Sequence, residues 1–170
     1  GYTMTPEKLA GYFDHTILKP EATEDDVRRI CDEAKTYGFF SVCVNPVHIP
    51  LVKQECAGTD VKICSVVGFP LGAAQPGIKA AETALAIKQG ADEIDMVINV
   101  GAAIAGRFDL VESDIRAVVE AADGRLVKVI IETCLLDDEQ KIKACQAAER
   151  AGALFVKTST GFSSGGATET

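Results

Sequence analysis

No run of apolar residues in this sequence approaches the roughly 18 to 20 needed to span a bilayer. Residues 1–11 lack the charged-then-apolar order of a secretory leader, so a cytoplasmic chain working away from membranes is expected. Basic residues are in the minority: 17 lysines and arginines stand against 25 aspartates and glutamates, a formal charge of −8. That balance argues against nucleic acid or an anionic membrane as the main partner. It leaves room for small anionic substrates in a locally basic pocket. Close cysteine pairs are also missing. Cys31, Cys43, Cys56, Cys64, Cys134 and Cys145 include no C-x-x-C, and only His15 and His48 could help them hold a metal. Zinc sites ordinarily show ligands in close pairs. No metal is therefore expected, and the thiols read as reduced, small core hydrophobes.

What is present is regular. The 170 residues are 47% hydrophobic and 25% charged, which suits one globular domain over 1–170. Short β-rich runs alternate with longer amphipathic ones. The expected strands are Phe13–Leu18, Ser41–Asn45, Lys62–Phe69, Glu93–Asn99, Leu126–Thr133 and Leu154–Thr160. Helical spacing is expected over Glu24–Tyr37, Val47–Cys56, Gly77–Gln89, Phe108–Ala122 and Asp138–Ala151, with Thr23 and Asp26 as a capping pair. Three helices run into glycine, at Gly38, Gly90 and Gly152, as left-handed helix ends require. Residues 161–170, rich in Gly, Ser and Thr, read as a flexible end.

Such alternation indicates parallel β/α units with right-handed crossovers. Six units fit an open doubly wound sheet directly, whereas a closed barrel needs eight units and about 250 residues. Periodicity alone favours the open sheet. The polar residues within the strands point the other way.

Strands buried on both faces have little reason to hold charge, yet Asp14, Asp95, Lys128 with Glu132, and Lys157 fall within them. A structural ion pair, such as Asp95 with Lys128, would explain some of these. Several strands with the same anomaly suggest one shared polar pocket, as at the catalytic end of a barrel. Lys157 follows Leu154-Phe155-Val156 and precedes Thr158-Ser159-Thr160-Gly161. Dehydration and a neighbouring cation, with Lys128 a candidate, would lower its pKa and leave an amine able to attack a carbonyl. Asp95 would accept or relay the proton such chemistry must move. The hydroxyls and N–H groups of Thr158–Gly161 could hold a phosphate, although such loops are often only turns.

Six segments together resemble the deoxyribose-phosphate aldolases. Gly152-Ala153-Leu154-Phe155-Val156-Lys157-Thr158-Ser159-Thr160-Gly161-Phe162 resembles their Schiff-base segment, and Gly90-Ala91-Asp92-Glu93-Ile94-Asp95-Met96-Val97 the one carrying their catalytic aspartate. Lys128-Val129-Ile130-Ile131-Glu132-Thr133 is similar to their fifth strand and Phe13-Asp14-His15-Thr16 to their first. Ser41-Val42-Cys43-Val44-Asn45-Pro46 and Val66-Val67-Gly68-Phe69-Pro70 fit in order between them. The resemblance implies a TIM (β/α)8-barrel and a class I aldolase without metal or organic cofactor. It would reversibly cleave 2-deoxy-D-ribose 5-phosphate to glyceraldehyde 3-phosphate and acetaldehyde. By position, Lys157 would form the imine and Asp95 would transfer protons. Lys128, Cys43, Asp14 and Thr158 would line the pocket, with Gly161 near the phosphate.

The family pattern continues for two more β/α units, with a second lysine in a K-[AP]-[SA]-G-G-[IV]-R-T segment on the seventh strand. No such segment occurs within these 170 residues. The expectation is a partial barrel of about six units whose outer strands invite pairing, with the rest of the barrel or with another copy. Two other readings stay open: a binding module that has lost turnover, and another sugar-phosphate barrel enzyme such as an isomerase with Asp95 as base.

Overall fold

A computed structural model describes residue 11 and residues 13–163. From residue 164 onward, the expected flexible end lies outside the described residues. The chain groups into two compact units, Gly1–Ser65 with Ala86–Glu93, and Val66–Leu85 with Ile94–Thr170.

The first unit holds β1 (Asp14–Ile17), α1 (Glu24–Tyr37), β2 (Ser41–Val44), a 3-10 turn at Pro46–His48, α2 (Ile49–Glu55) and most of β3 (Lys62–Val67). Helix α1 turns Val27, Ile30, Cys31 and Ala34 inward, the stripe its spacing predicts. The capping pair forms as a reciprocal box. Asp26 N donates to Thr23 Oγ1 at 3.2 Å and Thr23 N donates to Asp26 Oδ2 at 2.9 Å, satisfying two N–H groups that the helix start leaves open. Beyond the last turn, Gly38 takes φ 71° and ψ 34°, the left-handed end for which glycine is suited. Strands β1, β2 and β3 pair in parallel, with Asp14 opposite Ser41 and Cys43 opposite Cys64.

The second unit contains most of α3 (Pro76–Gln89) and of β4 (Glu93–Val97). It also holds α4 (Val100–Ile104), α5 (Phe108–Ala121), β5 (Leu126–Ile130), a 3-10 turn at Thr133–Leu135, α6 (Asp138–Arg150) and β6 (Phe155–Lys157). Its buried residues include Ile94, Met96 and Val97 of β4, Val111, Ile115 and Val118 of α5, and Val129 of β5. Truncating one of these isoleucines to alanine would cost roughly 2–5 kcal/mol. After β3 the chain passes a cis Phe69–Pro70 bond and turns at Gly72, where φ is +66°. A Cβ there would sit 1.9 Å from the carbonyl oxygen of Ile98, so only glycine fits.

The strand order is β1-β2-β3-β4-β5-β6. A doubly wound sheet reverses its order at a switch point, and no reversal occurs here. The open-sheet alternative therefore falls away, and the architecture is α/β of the TIM-barrel type, carried through six strands. Every expected helix is present, but most strands end earlier than their apolar runs. Strand β4 ends at Val97, with one further backbone bond from Ile98 N to Ile130 O, rather than at Asn99, because Asn99 Oδ1 accepts from Ala102 N at 3.1 Å and starts α4, a one-turn helix absent from the expectation. Likewise β5 stops at Ile130, and Glu132 takes φ +51°. Among the described residues, no helix is long and apolar enough to cross a membrane.

Candidate active site

Strand register places two lysines on one face. In the β5–β6 pair, Ile130 stands opposite Lys157 and Lys128 opposite Phe155. Side chains alternate with a period of two, so Lys128 shares a face with Ile130 and lies diagonally beside Lys157. Both lysines reach the same carboxylate. Lys157 Nζ donates to Asp95 Oδ2 at 2.9 Å, and Lys128 Nζ lies 3.3 Å from Asp95 Oδ1. Asp95 is 1% exposed, whereas the Lys157 side chain is 39% exposed. A carboxylate at that depth requires paired charge. Two lysine nitrogens thus converge on one carboxylate. The reachable member is a primary amine; the buried one can take up or hand back its proton.

The segment after Lys157 is organised by Glu132, which is 2% exposed. Its Oε1 accepts from Thr160 N at 3.1 Å, and its Oε2 from Thr160 Oγ1 at 2.5 Å and Ser163 Oγ at 3.0 Å. Gly161 N donates to Ser159 Oγ at 2.9 Å and Phe162 N to Thr160 Oγ1 at 3.1 Å. The N–H groups of residues 160–162 are thus each engaged within the protein. The Phe162 ring meets Phe69 edge-on, at 5.4 Å and 89°. Thr158 and Gly161 are exposed at the surface.

A second buried ion pair lies in this unit. Lys79 on α3 is wholly buried, and its Nζ donates to Asp114 Oδ2 at 2.6 Å and to the Val97 carbonyl, at the end of β4, at 2.9 Å. Burial pushes the Lys79 ammonium below its ordinary value and the Asp114 carboxyl above its own, outweighing their mutual attraction. A cavity of about 340 Å³, lined by Phe69, Pro70, Leu71, Ile78 and Glu82 among others, shares no residue with the Asp95 cluster. The other two expected pocket residues belong to the first unit. Ser41 Oγ donates to Asp14 Oδ1, and Cys43 Sγ lies 3.3 Å from Cys64 Sγ.

Three of the expected residues, Lys157, Asp95 and Lys128, are therefore brought together, with Thr158 and Gly161 on the loop that continues from Lys157. The role of Glu132 and the Lys79–Asp114 pair were missed. The local signal for Glu132 was a carboxylate within an expected strand, directly after Val129-Ile130-Ile131; nothing local marks Lys79.

A DeoC/LacD family aldolase model matches residues 8–170. The chain belongs to that aldolase family. It is 61% identical to a deoxyribose-phosphate aldolase of Streptococcus gordonii and 62% identical to one of Streptococcus sanguinis, each over 95% of this chain and 73% of the relative. Among solved structures it resembles the tetrameric deoxyribose phosphate aldolase of Aeropyrum pernix. The TM-score is 0.87 at 38% identity, over 93% of this chain and 67% of that one. The chain thus spans about three quarters of those curated relatives and two thirds of that structure. Within this aldolase family fold, Asp95 and Lys128 stand midway along strands four and five and Lys157 is the last residue of strand six, the strand end toward which barrel enzymes carry their chemistry.

Proposed function

We propose that the chain is a class I aldolase that reversibly cleaves 2-deoxy-D-ribose 5-phosphate to D-glyceraldehyde 3-phosphate and acetaldehyde. The observation that carries this reading is the half-exposed Lys157 side chain, whose Nζ is held 2.9 Å from the buried carboxylate of Asp95. The names of the Streptococcus relatives supply the substrate.

The neutral Lys157 amine attacks C1 of the open-chain sugar. The resulting carbinolamine loses its hydroxyl as water and leaves an iminium, with Asp95 carrying the proton between nitrogen and the departing oxygen. Removal of the C3 hydroxyl proton then lets the C2–C3 bond break. Its electrons pass to the iminium to give an enamine, and C3 leaves as the aldehyde carbon of glyceraldehyde 3-phosphate. Protonation at C2 and addition of water release acetaldehyde and restore Lys157. Lys128 keeps the cluster positive and so favours the neutral amine on Lys157. Each Asp95 oxygen faces a lysine ammonium, which suits a relay better than the free base an isomerase would need.

The same reading places Thr158 and Gly161 beside the sugar phosphate, and Asp14 and Cys43 along the pocket wall. Gly161 N would engage an anion only after Ser159 Oγ gives it up. The reaction needs no metal and no organic cofactor and suits a cytoplasmic enzyme. Leu154 is 74% exposed, with Phe155 and Val156 also exposed beside it, and the Aeropyrum relative is tetrameric. Self-association therefore forms part of the proposal. Borohydride reduction in the presence of acetaldehyde should add one ethyl group at Lys157, located by peptide mapping. Lys157 labelling that is absent, or no faster than that of the exposed Lys143, would falsify the imine mechanism.

A further inference from the structure

Glu132 carries two costs at one position. Its carboxylate is 2% exposed, and its partners among the described residues are all neutral donors. Its backbone stands at φ +51°, where a side chain other than glycine is strained by of order 1–3 kcal/mol. An apolar residue or a glycine would complete the end of β5 at lower cost. What offsets the cost is directional: all three hydrogen bonds go to Thr160 and Ser163, on the segment that continues from Lys157. Bonds to an ionised acceptor are roughly twice as strong as neutral ones. The two chain ends are also in register here, since Ile131 N donates to Lys157 O at 3.0 Å and Thr133 N to Thr158 O at 2.8 Å. Glu132 therefore sits between two backbone bonds that end on the Lys157 and Thr158 carbonyls, and it holds the loop beyond them. Thr160, once held, orients Phe162 N through its own hydroxyl, so the hold extends from Glu132 to Phe162.

We infer that Glu132 is a positioning residue for the imine chemistry: its carboxylate fixes residues 158–163 and, through that backbone, the direction in which Lys157 presents its amine. The inference rests on the reading of Lys157 as the reacting amine. A displacement of about 1 Å at such a group lowers rates by roughly 100-fold, and a loop released at Thr160 and Ser163 allows that much.

The test is the rate of reductive ethylation at Lys157 with acetaldehyde and borohydride, measured across pH. Labelling of the exposed Lys143 in the same sample serves as internal standard. Glu132→Ala should slow Lys157 labelling at least about tenfold, short of the full 100-fold because the flanking backbone bonds remain. Lys143 should be unaffected. Glu132→Gln keeps an acceptor for Thr160 N and offers an amide that the two hydroxyls can accept from, so it should restore the rate to within about threefold. Ser163→Ala, which removes one bond at a half-buried position, should fall between them and covers the case in which Glu132→Ala does not fold. Equal Lys157 labelling in all variants overturns the inference. So does equal loss in the Gln and Ala variants, which would mark a need for charge rather than for position. Absence of Lys157 labelling in the unaltered chain overturns the aldolase reading itself, and the inference with it.

Discussion

Nζ of Lys157 lies 2.9 Å from Oδ2 of Asp95, although 62 positions separate the two residues in the chain. The contact joins a half-exposed lysine side chain to a buried carboxylate, and the proposed mechanism passes a proton between them. Asp95→Asn keeps the shape and removes the charge. Turnover should fall by roughly 10²- to 10⁴-fold, the usual contribution of a positioned acid or base. An asparagine can still accept a hydrogen bond from a lysine, so some reductive ethylation at Lys157 should persist. Comparing the trapped fraction with product release checks both statements. Unchanged turnover would remove Asp95 from the mechanism.

Lys128 supplies a second prediction because it competes for the same carboxylate. Its Nζ lies 3.3 Å from Asp95 Oδ1 and its side chain is largely buried. Replacing it with methionine removes a cation from beside Asp95 and Lys157, which favours the protonated, unreactive ammonium on Lys157. For Lys128→Met, the pH at which reductive ethylation reaches half its maximal rate should therefore move upward. A profile identical to that of the unaltered chain would show that Lys128 has no electrostatic hold on Lys157.

Much of this arrangement was legible in the sequence, for physical reasons that also set the limit. Lys157 and Asp95 were conspicuous because charge is costly in a strand covered on both faces. Helix α1 was legible to its ends because Thr23, Asp26 and Gly38 carry local hydrogen-bonding and conformational signals. Strand ends were less so: a strand buried on both faces has no polar alternation to mark where pairing stops, as with the run from Val127 to Ile131. Helix α4 is too short to show a 3.6-residue period. Barrel and open sheet share one alternation of elements and differ only in strand order, which is a long-range property. The Lys79–Asp114 bond spans 35 positions, and Lys79 occupies a buried helix face where spacing alone predicts an apolar residue.

That pair yields a third prediction. Lys79 and Asp114 are both buried, and Asp114 Oδ1 has no hydrogen-bond partner among the described residues. Removing one partner strands the other charge, so Lys79→Met should cost roughly 3–5 kcal/mol in denaturant unfolding. The double variant Lys79→Met with Asp114→Leu should recover most of that loss, because replacing a buried pair by apolar groups is often neutral. If the double variant is as unstable as the single one, the bond from Lys79 to the Val97 carbonyl is the contact that matters.

The last prediction concerns acid. Glu112 on α5 is bonded by Arg150 of α6 and by Arg116, whose Nη2 lies 3.0 Å from Glu112 Oε2 and also donates to the Arg150 carbonyl at 3.2 Å. Hydrogen bonds from Arg150 first, then Arg116, hold its carboxyl below the ordinary value of 4.5. A group whose folded pKa is depressed stabilises the fold above its unfolded value and loses that contribution as pH falls through the folded one. Glu112→Gln should therefore lower the thermal midpoint at neutral pH, modestly because the network is partly exposed to solvent. The gap between variant and unaltered chain should begin to narrow once the pH drops below 4.5 and close below the folded value. Added salt should shrink the gap at neutral pH by screening the charges. A gap that persists at full strength well into acid would mean that Glu112 joins the two helices by packing and neutral hydrogen bonding rather than by charge.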